Sequence, residues 1–232
     1  MAEDLAPYKR EFIEFMVASE VLTFGDFVTK SGRRTPYFVN TGRYRTGSQL
    51  ATLARFYAEA IEAGFSESFD VLFGPAYKGI PLAVGIAMEM SRRSDRDIPF
   101  CFDRKEAKDH GEGGKLVGHP IADGERVLIV EDVTTAGTSI RETVPKLRAA
   151  AKVELAGLVV SVDRMERGQG EKAALAEISE EWSMPTRAIV TIDEVVSYLH
   201  GREIGGRVLL DDEIFERAQA YRSEYGPREG AG

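Results

Sequence analysis

Two patterns of apolar positions alternate along this chain. Residues 6–19 set Phe12, Ile13, Phe15, Met16 and Val17 between charged residues, the spacing of an amphipathic helix. Similar spacing predicts helices over 47–64, 78–92, 138–150, 171–181, 193–200 and 211–225. Between them lie short runs at 70–73, 98–102, 126–130, 153–162 and 187–192 that are mainly apolar rather than alternating. A half-exposed strand would alternate apolar with polar, so continuous runs predict a parallel sheet covered by helices on both faces, an α/β architecture.

Three stretches stand outside this rhythm. Residues 1–40, with a turn at 30–34 and a strand at 37–39, read as a separate layer over one end of the sheet. Residues 103–118 are polar and glycine-rich with no apolar period, which predicts a mobile loop. The last residues, GPREGAG (226–232), predict a disordered tail after a core and C-terminal region over 41–225. There is no internal repeat and no linker, so all 232 residues are expected to form one domain.

Composition narrows the function. The formal net charge of −8 gives no counterion-release gain on DNA or RNA, so no nucleic-acid partner is expected. Cys101 is the only cysteine, which excludes an intrachain disulfide and a cysteine-rich zinc site. His110, His119 and His200 lack metal-ligand spacing, and His119 and His200 read as structural or surface residues. The start, MAEDLAPYKR, lacks the apolar core of a signal peptide, and no apolar run has the length of a membrane span. A cytoplasmic protein with no membrane partner is the expectation.

The chemistry concentrates at 127–142, VLIVEDVTTAGTSIRE. An apolar strand runs into Glu131 and Asp132, and a loop of small and hydroxyl residues, Val133 to Ser139, then enters a helix. Ligands of such sheets bind beyond the carboxyl ends of the strands. Backbone N–H groups at a helix start suit a dianionic phosphate, and adjacent carboxylates suit two neighbouring hydroxyls. Phosphate and hydroxyls at that separation suggest a ribose 5-phosphate. Ser139 and Glu142 have capping-box spacing, which predicts that the serine caps the helix. The loop lacks the glycine and lysine spacing of a nucleoside-triphosphate P-loop.

Residues 131–139 resemble the phosphoribosyl-diphosphate (PRPP) signature of the type I phosphoribosyltransferases. FGPAYKGIPLA (73–83), FDRKEAKDHGEGGKLVG (102–118), KSGRRTPYFVN (30–40) and SVDRMERGQG (161–170) together resemble the orotate branch of that family over about residues 8–225. The resemblance implies the type I fold, with a hood built from residues 1–40 and the C-terminal part. It also implies transfer of ribose 5-phosphate from PRPP to orotate, giving orotidine 5'-monophosphate and diphosphate in pyrimidine (UMP) synthesis.

The same resemblance implies the site. Lys30, Tyr77, Lys78, Arg104, Lys105, Lys108 and His110 would meet PRPP with Glu131, Asp132, Val133, Thr134, Thr135, Ala136, Gly137, Thr138 and Ser139. Lys105, Arg104, Lys108, His110 and Asp132 would carry catalysis. Phe38, Val39, Thr135 and Arg164 would meet orotate. Mg²⁺ would be held mainly through PRPP and water, with no direct protein ligand assigned. The 103–118 loop would close over the neighbouring subunit's site in a homodimer. The acid pair is Glu-Asp where relatives have Asp-Asp, and Val39 stands where they often carry an aromatic residue.

Plainer readings exist for single residues. Lys30 and Arg33 suit ordinary turn cations, Tyr77 a packing residue, Arg164 a partner of Glu166 or Asp163, and Asp103 and Asp109 solvated loop acids. A different base, or a PRPP-sensing regulator that binds nucleic acid, would be alternative functions. The RKEAKDH loop and the Arg164 segment speak against the first, and the acidic charge against the second.

Overall fold

A computed structural model describes residues 5–29, 32–65, 69–108, 114–134 and 137–228, with the side chains of 106–108 and 114 outside that description. Its centre is a six-stranded sheet: β3 (Val71–Gly74), β4 (Phe100–Lys108), β5 (Gly114–Gly118), β6 (Arg126–Glu131), β7 (Glu154–Asp163) and β8 (Thr186–Thr191). The order across the sheet is β5-β4-β3-β6-β7-β8. All neighbours pair in parallel except β5, which runs antiparallel to β4.

The unbroken apolar runs have the expected cause. Along β6, Leu128 and Val130 face a core shared with α2 (Gly47–Phe65) and α3 (Gly79–Arg93). Val127 and Ile129 face the other way, onto Ile140, Val144 and Leu147 of α4 (Thr138–Ala150) and Ile178 of α5 (Ala174–Trp182). Both faces of the strand are dry, so no position is left for a polar residue until the chain reaches the sheet edge.

Helix α1 (Pro7–Ala18) buries Phe12, Ile13 and Met16, the stripe its spacing predicted. It leads into an antiparallel hairpin, β1 (Leu22–Val28) and β2 (Arg34–Val39), which is separate from the main sheet. The C-terminal helix α7 (Asp212–Tyr225) packs on this hairpin. The Tyr221 ring meets fully buried Tyr37 edge-on at 5.5 Å, and Arg217 donates to the Gly25 carbonyl at 3.2 Å and pairs with Asp26. Helix α6 (Ile192–Leu199) and a short hairpin of β9 (Glu203–Ile204) and β10 (Arg207–Val208) connect the sheet to α7.

Four expectations are corrected. The 103–118 stretch is not one irregular loop: β4 continues to Lys108 and β5 returns beside it, so only 109–113 lies outside the described residues. Strand β1 went unread because Gly25 and Asp26 interrupt its apolar pattern at a bulge between Phe24 and Phe27. Residues 226–228 of the expected tail are tethered, Gly226 by Arg167 at 2.8 Å and Arg228 N–H by the Glu171 carbonyl at 3.1 Å. Ser139 does not cap α4, for a reason that belongs to the site.

Candidate active site

At the carboxyl end of β6 the main chain is tied down and the carboxylates are left to project. The buried Tyr57 hydroxyl donates to the Glu131 carbonyl at 2.6 Å. The Asp132 carbonyl accepts from the Ser161 N–H at 2.9 Å and from its hydroxyl at 2.5 Å. These bonds come from α2 and β7, on either side of the strand end.

The two carboxylates differ. Glu131 accepts the Ser139 hydroxyl on both oxygens, at 2.5 and 2.6 Å; α4 starts at Thr138 with Gly137 at its cap, so Ser139 lies inside the first turn rather than at the capping position. Burial raises the Glu131 carboxyl from its ordinary 4.5 to about 7; the Asp132 charge adds to the rise, while Ser139 and Lys78 oppose it. Asp132 instead accepts from Thr41 at 2.5 Å and from the Lys78 ammonium at 2.7 Å, and Lys78 also reaches Thr41 at 2.9 Å. This trio borders a cleft of about 390 Å³ whose lining includes Ser161, Tyr57 and Leu53.

The loop after the acids enters α4 as expected. Buried Thr134 accepts the Gly137 N–H at 3.2 Å, and Gly137 is left-handed at φ 70°. A Cβ there would strike Ile178, so the sequence needs glycine for both conformation and space. Thr138 opens the helix, whose first N–H groups have no partner within it. Val133 packs against the core, and Thr135 and Ala136 lie outside the described residues.

A second strand end faces this loop. Strand β3 stops at Gly74, where a Cβ would collide with the Gly79 carbonyl, and the following turn contains a cis Ala76–Tyr77 peptide. Tyr77 is exposed, with the Lys105 ammonium 5.2 Å above its ring. The Ala76 N–H donates to Asp103 at 2.6 Å, and Lys146 pairs with the other Asp103 oxygen at 2.5 Å. Asp103 is therefore buried and paired, not the solvated loop acid expected of it. Arg104 and Lys105 follow it directly on β4. The Lys108 side chain and all of His110 lie outside the description.

The remaining candidates sit on β2 and beyond β7. Phe38 stacks on Phe27 at 5.6 Å and Val39 packs against the core. Arg164 pairs with Glu166 at 2.5 Å, the plainer of its two readings. Its Nε is buried and makes no hydrogen bond among the described residues. Glu166 also accepts from Tyr221 at 3.0 Å and lies 3.5 Å from Arg33. Lys30 lies outside the description. Sequence reasoning missed Thr41, Tyr57, Ser161 and Tyr221 at this site. Ser161 stood in a stretch already singled out; the others are brought in only by the fold. Among the described residues, no group of three or more acids, histidines or cysteines could hold a metal ion. Nor, among them, is any helix long and apolar enough to cross a membrane.

Paired acids at one strand end, a phosphate-type loop entering a helix, and a tight turn at the next strand define a phosphoribosyltransferase domain. The family model described as "Phosphoribosyl transferase domain" matches residues 41–191. An orotate phosphoribosyltransferase of Lachnoclostridium phytofermentans is 59% identical over 219 residues, 94% of this chain and 97% of that one. That of Klebsiella pneumoniae is 47% identical over 96% of this chain and 100% of its own length. The crystal structure of the Francisella tularensis orotate phosphoribosyltransferase superposes with a TM-score of 0.81 at 38% identity, covering 93% of this chain and 99% of that one. The chain belongs to the orotate phosphoribosyltransferase family.

Proposed function

We propose that this protein transfers ribose 5-phosphate from PRPP to orotate, releasing diphosphate and forming orotidine 5'-monophosphate for pyrimidine nucleotide synthesis. The observation that carries the reading is the Glu131–Asp132 pair on a fixed main chain beside the loop at the α4 start. The whole chain acts as one domain, with residues 1–40 as a hood over the base.

The residues take the following parts. The 5'-phosphate meets the N–H and hydroxyl groups of the 133–139 loop. Glu131 and Asp132 accept the ribose hydroxyls, Ser139 and Thr41 giving way to them. The leaving diphosphate meets Lys78, the 75–77 main chain, Arg104, Lys105, Lys108 and His110. As the C1–O bond breaks, the ring gains positive charge and the diphosphate gains negative charge, and a ring nitrogen of orotate forms the new bond to C1 as its N–H proton passes to solvent. No protein nucleophile is needed; fixed cations and hydrogen-bond donors lower the barrier. Arg164 meets the orotate carboxylate or a carbonyl, with Phe38, Val39 and Thr135 beside the ring and Lys30 toward PRPP.

Two adjacent carboxylates, with no third acid, histidine or cysteine grouped with them among the described residues, fit a cation carried on substrate oxygens and water. Magnesium, when bound, supplies charge neutralisation on the diphosphate. The 103–118 segment closes over the site and reaches into the neighbouring subunit of a homodimer, and its closure excludes water from the reacting centre. The protein acts in the cytoplasm without nucleic acid or membrane partners.

The test is the loss of orotate absorbance in the near ultraviolet on adding PRPP and Mg²⁺ to purified protein. The expected result is a loss that needs both additions and is reversed by orotidine 5'-monophosphate with diphosphate. Folded protein that binds PRPP but leaves orotate untouched would overturn the assignment of the base.

A further inference from the structure

Asp103 has no part in the reaction as written above, yet its placement is specific. It is 2% exposed. A buried carboxylate costs several kcal/mol unless each oxygen finds a partner. Both do: Oδ1 accepts the Ala76 N–H at 2.6 Å and Oδ2 accepts the Lys146 ammonium at 2.5 Å. The three groups come from three different segments. Asp103 lies on β4 just before Arg104 and Lys105, Ala76 is in the turn after β3, and Lys146 is on α4, two turns past Thr138. A cavity of about 260 Å³ borders the same cluster and is also lined by Lys105 and Ser139.

We propose that Asp103 is a positioning residue for the diphosphate half of the site, holding the main chain of the 75–78 turn in register with the phosphate-loop helix. The inference rests on the proposed use of PRPP. Asp103 touches no substrate; its hydrogen bond fixes a backbone segment that presents N–H groups and Lys78 to the leaving group. The turn's own bonds, Gly79 N–H to the Pro75 carbonyl at 2.9 Å and Ile80 N–H to the Tyr77 carbonyl at 3.3 Å, leave the Ala76 N–H to Asp103, and a misplacement of about 1 Å at such a site lowers rates about a hundredfold. Orotate lies on the other side of the ribose, so its affinity is independent of this bond.

The test compares steady-state constants for the wild type, Asp103→Asn, Asp103→Ala and Lys146→Met in both directions of the reaction. Asp103→Asn keeps an acceptor for the Ala76 N–H while partly exposed Lys146 turns to solvent, so kcat/KM for PRPP should fall only about threefold. Asp103→Ala removes the acceptor. It should lower kcat/KM for PRPP about a hundredfold and raise KM for diphosphate in reverse about tenfold, with KM for orotate within about twofold of wild type. An equal rise in KM for orotate and for PRPP, or wild-type constants in Asp103→Ala, would overturn the proposal.

If Asp103→Ala does not fold, Lys146→Met decides. It leaves the buried carboxylate with one partner and should lower kcat/KM for PRPP about fivefold, and the double variant with Asp103→Asn should lose no more than about threefold, against about fifteenfold for independent losses. Additive losses, or none, would sink the inference. A wild type inert toward orotate and PRPP strikes the reaction reading and this inference with it. An active wild type with an unaffected Asp103→Ala strikes this inference alone.

Discussion

Asp132→Asn separates the role of this carboxylate in the reaction from its role in the fold. Its partners are the Thr41 hydroxyl at 2.5 Å and Lys78 at 2.7 Å. The Lys78 side chain is 61% exposed, so solvent screens the ion pair and it stabilises the fold by only about 0–1 kcal/mol. Asparagine keeps one acceptor for Thr41, and the Asp132 main chain stays tied to Ser161. The melting temperature should therefore move by no more than about 2–4 °C. The substrate is affected differently. A hydrogen bond from a ribose hydroxyl to a charged acceptor contributes about 1.5–3 kcal/mol, so its loss should lower kcat/KM for PRPP by a factor of about 10 to 100. The assay is the orotate absorbance change at varied PRPP and saturating orotate, beside a thermal melt of the same preparation. An unchanged kcat/KM for PRPP in a folded variant would refute the assignment of the ribose to this carboxylate.

The raised Glu131 carboxyl predicts a pH profile. Its folded value of about 7 lies above the ordinary 4.5, so the folded state holds the proton more tightly. Its effect on stability is most favourable below the ordinary carboxylate range and is lost as pH rises through about 7. The charged form is the hydroxyl acceptor, so kcat/KM for PRPP should rise over the same window, and Glu131→Gln should flatten that rise; an identical profile in the variant would dismiss the group. Lys105→Ala should lower kcat by about two orders of magnitude with a small effect on PRPP affinity, because its contact strengthens as diphosphate charge builds; near-normal turnover would remove the role. Mixing Lys105→Ala with Asp132→Asn chains should recover activity through hybrid dimers if sites are shared, and inactive hybrids would place each site in one chain. Arg164→Lys loses the planar fork that can hold Glu166 and a second anion together, so KM for orotate should rise about tenfold or more while KM for PRPP stays put.

Local signals were readable where they coincide with a covered strand or a helix start. β6, its terminal acids and the start of α4 were legible because the apolar run, the acids and the glycine sit within a dozen residues. What stayed hidden depends on distant partners. Ser139 has the spacing of a cap, yet α4 begins one residue before it and its hydroxyl goes to Glu131 on the preceding strand. Asp103 reads as one more charge in a polar run, and only the approach of Ala76 and Lys146 gives it a buried place. Strand β5 carries only Leu116 and Val117 as an apolar signal and forms because β4 offers it an edge. Tyr221 lies on a helix whose sequence gives no hint that it faces Tyr37 and Glu166.

The clasp between α7 and the β1–β2 hairpin has a consequence for how the protein is made. Arg217 and Asp26 are 191 positions apart in the chain. During synthesis the hairpin emerges early, but its contacts with α7, Tyr37 on Tyr221 among them, wait until that helix has left the ribosome. The sheet with its strand-end acids is built from shorter-range steps. The hairpin side is thus the last part to assemble, and on refolding its formation should lag behind that of the sheet, as contacts of such long sequence separation form slowly.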